Sequence, residues 1–341
     1  MALAAGMAPA GGAPAITGKP TMVQSGHRDP RDHTQGRPLR LFGVFTGRVD
    51  DGGFVESGYQ GAVQAQREFG FAFDWVQNVT IDTPALIAAA EQGLATGPDL
   101  LVIHGGRSNE AVEALAPRYP QVQFLSTHGE RAGPNFSAST IGQPQSAYLA
   151  GALAGLMTRS NVVGHLSGIR IPPGLRSRVA WAAGVRAVNP MARIVTCFCG
   201  TQDDNAISKR AALAEIDAGV DILYTMLNTG RTGAIEACRE RGVAQIGNAR
   251  DWTKVDPEVF IASAIADTGR LVYDWLVRVL ADPRAPGRLA ELGVEDPQAV
   301  RLEMGPRVPP EVRVRIEALR ATLVQMRPPW GIEYDGEEFQ P

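Results

Sequence analysis

The residues of this chain that could touch a ligand sit where apolar runs stop. Leu39 to Gly47 reads as a buried strand, and Asp50-Asp51-Gly52-Gly53 hands it to a helix that opens with Phe54. Leu100 to Gly106 carries His104-Gly105 near its end, and Gln123 to His128 closes on a second histidine. In the second half of the chain Gln202, Asn228-Thr229 and Asn248 each end or follow a strand-like run. Carboxyl ends of parallel strands, and the helix N-termini after them, are where α/β sheets bind ligands. His104 and His128 are therefore expected to face a cleft, but two histidines without a clustered third ligand do not make a metal site. Asp50 and Asp51 read as helix caps before they read as a catalytic pair. Gly230-Arg231-Thr232-Gly233 reads as a strand-to-helix turn, because the full glycine signature of a phosphate loop is missing. Gly164-His165-Leu166-Ser167-Gly168 lacks the order of a nucleophile elbow. No metal, cofactor or catalytic residue is expected, and the chemistry on offer is recognition.

Two similar arrays of strands and helices must position these residues. The stretch from Ser146 to Pro190 marks their junction: an Ala-, Leu- and Gly-rich helix apolar on nearly every side, a polar break at Arg159-Ser160-Asn161, then a new strand and a helix opened by Pro172-Pro173. Gly97-Pro98-Asp99-Leu100 and Gly219-Val220-Asp221-Ile222 recur at an offset of 122 residues, and so do Val122-Gln123-Phe124 and Ala244-Gln245-Ile246. A constant offset between strand-like segments is the mark of two lobes with one plan and roughly parallel sheets. Length agrees, since 341 residues exceed the ~250–300 at which single cores stop growing. The expected division is a tail at 1–37, a first lobe at 38–157 plus about 251–283, and a second at 158–250 plus about 284–341. Within the first lobe, 136–141 reads as an edge strand leading into the crossover.

Composition excludes several classes of function. A net charge of −3 with no basic tract gives no footing for nucleic acid or an anionic membrane. Cys197, Cys199 and Cys238 are too few and too badly spaced for a disulfide framework or a zinc site. No run approaches the ~18 apolar residues of a membrane-spanning helix. Residues 1–37, rich in Gly, Pro and Ala and then polar, read either as a disordered tail or as the back end of an export signal whose charged front is missing. The first reading goes with a cytosolic ligand sensor, the second with a periplasmic protein.

The motifs Asp50-Asp51-Gly52-Gly53-Phe54, Gly58-Tyr59-Gln60-Gly61-Ala62, Tyr148-Leu149-Ala150-Gly151, Ile171-Pro172-Pro173 and Gly184-Val185-Arg186-Ala187-Val188-Asn189-Pro190 together resemble the basic membrane protein family of ABC-transporter substrate-binding proteins. The resemblance runs from about Leu39 to Leu280. It implies an α/β, type I periplasmic-binding-protein fold: two parallel-sheet lobes joined by crossovers, holding a purine nucleoside or related base in the cleft. It also implies an ABC permease and ATPase as partners, a monomeric receptor, no cofactor and no enzymatic activity. Phe54 matches the family's ring-stacking aromatic. Elsewhere the chain departs: Val55 replaces a polar residue, His128 an acidic one, Ala249 the carboxylate expected at ribose hydroxyls and Ala266 a lysine, while Gln202 stands where a second aromatic is expected. Trp181 or Trp252 could supply that aromatic, and Asp251 lies two residues beyond Ala249. The candidate ligand-binding set is thus Phe54, Asp51, His104, Gly105, His128, Trp181, Gln202, Asn228, Thr229, Asn248, Asp251 and Trp252, with Arg48, Arg231 and Arg250 either favouring an anionic substituent or remaining solvated. These departures favour a free base over its nucleoside.

Overall fold

The computed structural model describes residues 37–326 and 328–341; all but the last residue of the expected tail at 1–37 lies outside them. Two six-stranded sheets divide the chain. The first has the order β11-β5-β4-β3-β1-β2, built from β1 (Arg40–Phe45), β2 (Ala72–Val76), β3 (Leu100–His104), β4 (Gln123–Thr127), β5 (Phe136–Ile141) and β11 (Leu289–Leu292). The second has the order β12-β10-β9-β8-β6-β7, from β6 (Val162–Ser167), β7 (Arg193–Phe198), β8 (Ile222–Met226), β9 (Ala244–Asn248), β10 (Phe260–Ala266) and β12 (Val300–Met304). All pairings are parallel except that of β12 with β10. The internal repeat extends to register: Leu41 pairs with Leu100 and Val163 with Ile222, the same offset of 122 on both strands. Strand β3 is buried along its whole length, as parallel strands covered on both faces are.

Helices cover both faces of each sheet. In the first lobe α1 (Phe54–Phe69) and α8 (Thr268–Ala281) pack on one face, and α2 (Thr83–Leu94) and α3 (Ser108–Leu115) on the other. In the second, α4 (Gln143–Met157), α5 (Pro172–Val188) and α9 (Pro310–Met326) face α6 (Asn205–Asp217) and α7 (Arg231–Arg241) across the sheet. Local chemistry sets the ends. Asp82, Asp204 and Asp267 cap α2, α6 and α8 through backbone N–H groups, and Gly70 and Gly242 end α1 and α7 in the left-handed region at φ 73° and 66°.

The chain changes lobe differently from the expected division. Helix α4 comes after the last strand of the first array yet packs on α5 and β10, in the second lobe. Helix α8 comes after β10 yet packs on α1, in the first lobe. The two lobes thus exchange a helix each, and backbone closeness fixes both exchanges. A Cβ on Gly61 would fall 2.1 Å from Gly269 O, and one on Gly184 2.0 Å from Tyr148 O, so any larger residue would drive these helix pairs apart. Strand β10, expected with the first lobe, pairs with β9 in the second sheet, and β11, expected in the second, pairs with β5 in the first. That pairing makes β5 an interior strand rather than an edge. Three crossings result, at residue 142, at residue 267 and at residues 293–299. Gln145 Oε1 accepts from Val294 N at 2.9 Å and Asp267 N donates to Ala299 O at 2.8 Å, so the third crossing is hydrogen-bonded to each of the other two.

Candidate functional site

On the first lobe the site is built at the carboxyl ends of β1, β3 and β4. The Asp51 carboxylate accepts from the backbone N–H groups of Gly53, Val55 and Glu56 at 2.8–3.2 Å, so its oxygens are committed to the start of α1 and it acts as a cap. Burial, partly offset by those three bonds, leaves its pKa raised. The cap fixes Phe54 as the first residue of α1, half-buried, with its ring stacked on the His104 imidazole at 4.4 Å and 19°. His104 is fully buried, and burial lowers its pKa to about 3, so the ring is neutral. Its tautomer is set by its partners: Phe54 O at 3.1 Å can only accept, so Nε2 carries the hydrogen, and Nδ1 accepts from the Thr127 hydroxyl at 3.0 Å. Thr127 Oγ1 in turn accepts from Gly105 N, and Thr268 Oγ1 donates to Phe54 O. His128 stands beside Phe54, ring centroids 5.0 Å apart and edge-on, with its backbone in the left-handed region at φ 62°. Burial holds its pKa down at about 4, and its Nδ1, sealed from solvent, has no protein partner.

The second lobe answers with the ends of β8 and β9. Arg231 opens α7, is 3% exposed, and spans both strands by donating to Leu227 O and to the Asn248 side-chain oxygen. Its guanidinium lies 4.4 Å from the centre of the Trp252 ring, and that of Arg250 lies 4.2 Å from it. Trp252 also stacks on Phe260 and donates from Nε1 to Asn248 O, so its half-buried ring packs against its own lobe. Asp251 caps the short 3-10 turn Trp252–Lys254, accepting from Thr253 and pairing with Lys254 at 3.0 Å. Gln202 lies against Gly168, while its carbonyl accepts from Asn228 N and Gly230 N. Exposed Thr229 is held by Asp203 at 2.8 Å. Trp181 is fully buried among His165 and Tyr224, inside the core beneath α5. It is a core residue rather than a wall of the cleft, because α5 turns that face toward the sheet.

The lobes meet around these residues. Asn228 Oδ1 is 3.3 Å from where a Cβ on Gly53 would stand, and Glu130, just past His128, faces Arg176 of α5 at 3.9 Å. An interlobe groove of about 400 Å³ runs along α1, lined by Gly53, Ser57, Gln60, Ala249, Arg250 and Asp251 among others. Phe54 and His128 do not line that groove. The structure therefore gathers Phe54, His104, Gly105 and His128 near the strand ends of one lobe, and Asn228 and Asn248 at those of the other. It assigns Asp51 and Asp251 to capping and Trp181 to the core, and it packs Trp252 against Phe260 and Arg231 of its own lobe. Thr127, Thr268 and the buried state of Arg231 were not read from the sequence. Thr268, directly after the capping Asp267, was the most visible of them. Among the described residues no group of three or more His, Cys, Asp or Glu is placed to hold a metal, and no helix is long and apolar enough to cross a membrane.

Residues 40–308 match the family described as ABC transporter substrate-binding protein PnrA-like. The chain belongs to this family, Bmp. A purine-binding protein of Brucella abortus (strain 2308) is 26% identical over 166 residues, a match spanning 49% of this chain and 47% of that protein. Basic membrane protein A2 of Borrelia garinii subsp. bavariensis is 23% identical over 288 residues, 82% of this chain and 85% of that one. An ABC transporter solute-binding protein from Conexibacter woesei superposes with a TM-score of 0.70 at 24% identity, covering 86% of this chain and 98% of the other. The Bmp chain thus has the type I periplasmic-binding fold of an ABC-transporter substrate-binding protein.

Proposed function

We propose that this Bmp-family chain is an extracytoplasmic solute receptor that binds a purine-like nucleobase, or a similar flat heterocycle, between its lobes and delivers it to an ABC permease and ATPase. The observation that carries the reading is the pairing of Phe54 with His128: an aromatic ring beside a neutral imidazole whose buried Nδ1 has no protein partner. An apolar face next to an unspent donor or acceptor suits a planar base, which stacks on one and hydrogen-bonds to the other. The name of the Brucella relative supports the same class of ligand. Binding rather than turnover fits the carboxylates: those of Asp51 and Asp251 are spent on capping. Ala249 and Ala266 offer no hydrogen bond where the family resemblance places the groups that serve a sugar. A ribose hydroxyl left unpaired there costs about 1–3 kcal/mol, so the free base is the preferred ligand. Calorimetric titration with adenine, guanine, hypoxanthine and xanthine, against adenosine, guanosine and inosine, tests this. The bases are expected to bind tighter; a nucleoside that binds tenfold better than every base overturns it.

A further inference from the structure

Arg231 presents an unusual electrostatic position. It is 3% exposed, yet among the described residues no carboxylate comes within ion-pair distance of it. Its partners, Leu227 O and the side-chain and main-chain oxygens of Asn248, are all neutral, and its Nε has none. A desolvated cation without a counter-ion is costly, and natural sequences keep such groups where a partner arrives from outside. Two features add positive charge nearby. Arg231 is the first residue of α7, whose helix dipole points its positive end the same way, and the Arg250 guanidinium shares the Trp252 ring. The acid whose field reaches Arg231 is Asp51 on the opposite lobe, and its oxygens already accept three backbone N–H groups. Burial brings the pKa of Arg231 down to about 9, which leaves it charged at neutral pH.

We infer that the ligand carries a negative charge, and that Arg231, assisted by Arg250, selects an anionic planar heterocycle, such as an acidic oxopurine, over its neutral analogue. This inference rests on the reading of the cleft as a flat-heterocycle site and names the ionisation state that the site takes. The geometry places the charge on the second-lobe wall, at the ends of β8 and β9, while Phe54 and His128 on the first lobe take the ring. Lobe closure then brings the anion to a guanidinium that is already desolvated and held by Asn248, so little ordering is left to do at binding.

The test compares urate, an anion at neutral pH, with hypoxanthine, which is neutral, by calorimetry on the full chain. Urate is expected to bind about ten- to a hundredfold tighter, the worth of one hydrogen bond to a charged group. Arg231→Gln should erase that difference by costing urate far more affinity than hypoxanthine, and Arg250→Gln should reduce it in part. Equal affinities in the unmodified protein overturn the inference and leave the purine reading standing. Equal losses for both ligands in Arg231→Gln assign the residue a purely structural role and overturn it too. Failure of both ligands and of every neutral base to bind sinks the flat-heterocycle reading itself. The comparison of the two ligands on the unmodified protein, and the exposed Arg250→Gln, decide the matter even if Arg231→Gln does not fold.

Discussion

Phe54 gives one face to His104 and an edge contact to His128, and the rest of its half-buried ring is what a ligand can use. Stacking of a base on an aromatic side chain is worth about 1–3 kcal/mol, so Phe54→Ala should raise the dissociation constant for xanthine by about one to two orders of magnitude. A thermal melt run alongside separates that loss from unfolding, and calorimetry returning an unchanged constant removes Phe54 from the site. Its place at the start of α1, beside the ends of β3 and β4, was legible because it directly follows an Asp- and Gly-rich turn at a strand end. Trp181 was not legible in the same way. The sequence of α5 places it on a helix, but which face meets the sheet depends on α4 arriving from the other array, with Gly151 and Gly184 allowing the close approach. Arg231 was hidden for a different reason. An arginine in a loop-to-helix turn is ordinarily solvated, and its burial comes from Asn248 and Trp252 folding over it from the next strand.

The C-terminal segment is the element with the most to say about stability. Residues 328–341 run back over the second lobe: Trp330 meets Tyr148, Asp335 pairs with Arg186 at 2.8 Å, and Glu338 pairs with both Arg170 and Arg178. Phe339 N then donates to Thr196 O at 2.8 Å, so the segment covers the open edge of β7. Arg178 is 4% exposed, lies over the Phe198 and Tyr334 rings, and has Glu338 as its acidic partner. Removing that acid leaves a buried cation unpaired, which costs about 1–3 kcal/mol, whereas an exposed pair is worth about 1 kcal/mol or less. Glu338→Gln should therefore lower the melting temperature clearly more than Asp335→Asn; equal small effects would show that the strap is not latched at Arg178. Sequence patterns missed this segment, and also β11 and β12. Strands of four and five residues are too short to carry much periodic signal, even where β12 alternates as Val-Arg-Leu-Glu-Met, and the value of each lies in the sheet edge it happens to meet.

Across the whole molecule, the repeat at 122 residues made the two-lobe plan readable, while the helix exchange escaped it. Periodicity reports the order of elements along the chain, but α4 and α8 choose their lobes by packing. The exchange leaves three crossings linked in series by hydrogen bonds, and segments linked in this way are suited to bend as one hinge. The Phe54 loop is tied to one of these crossings through Thr268, and Glu130 and Arg176 face each other from the two lobes. The reading of the cleft stands or falls on one flat ligand being held by both lobes at once. Hydrogen–deuterium exchange with and without saturating xanthine is the sharpest test. Protection is predicted to rise together in the loops around Phe54, His104 and His128 on the first lobe and around Asn228, Arg231 and Asn248 on the second. Protection confined to one lobe, or no change in either, would contradict it.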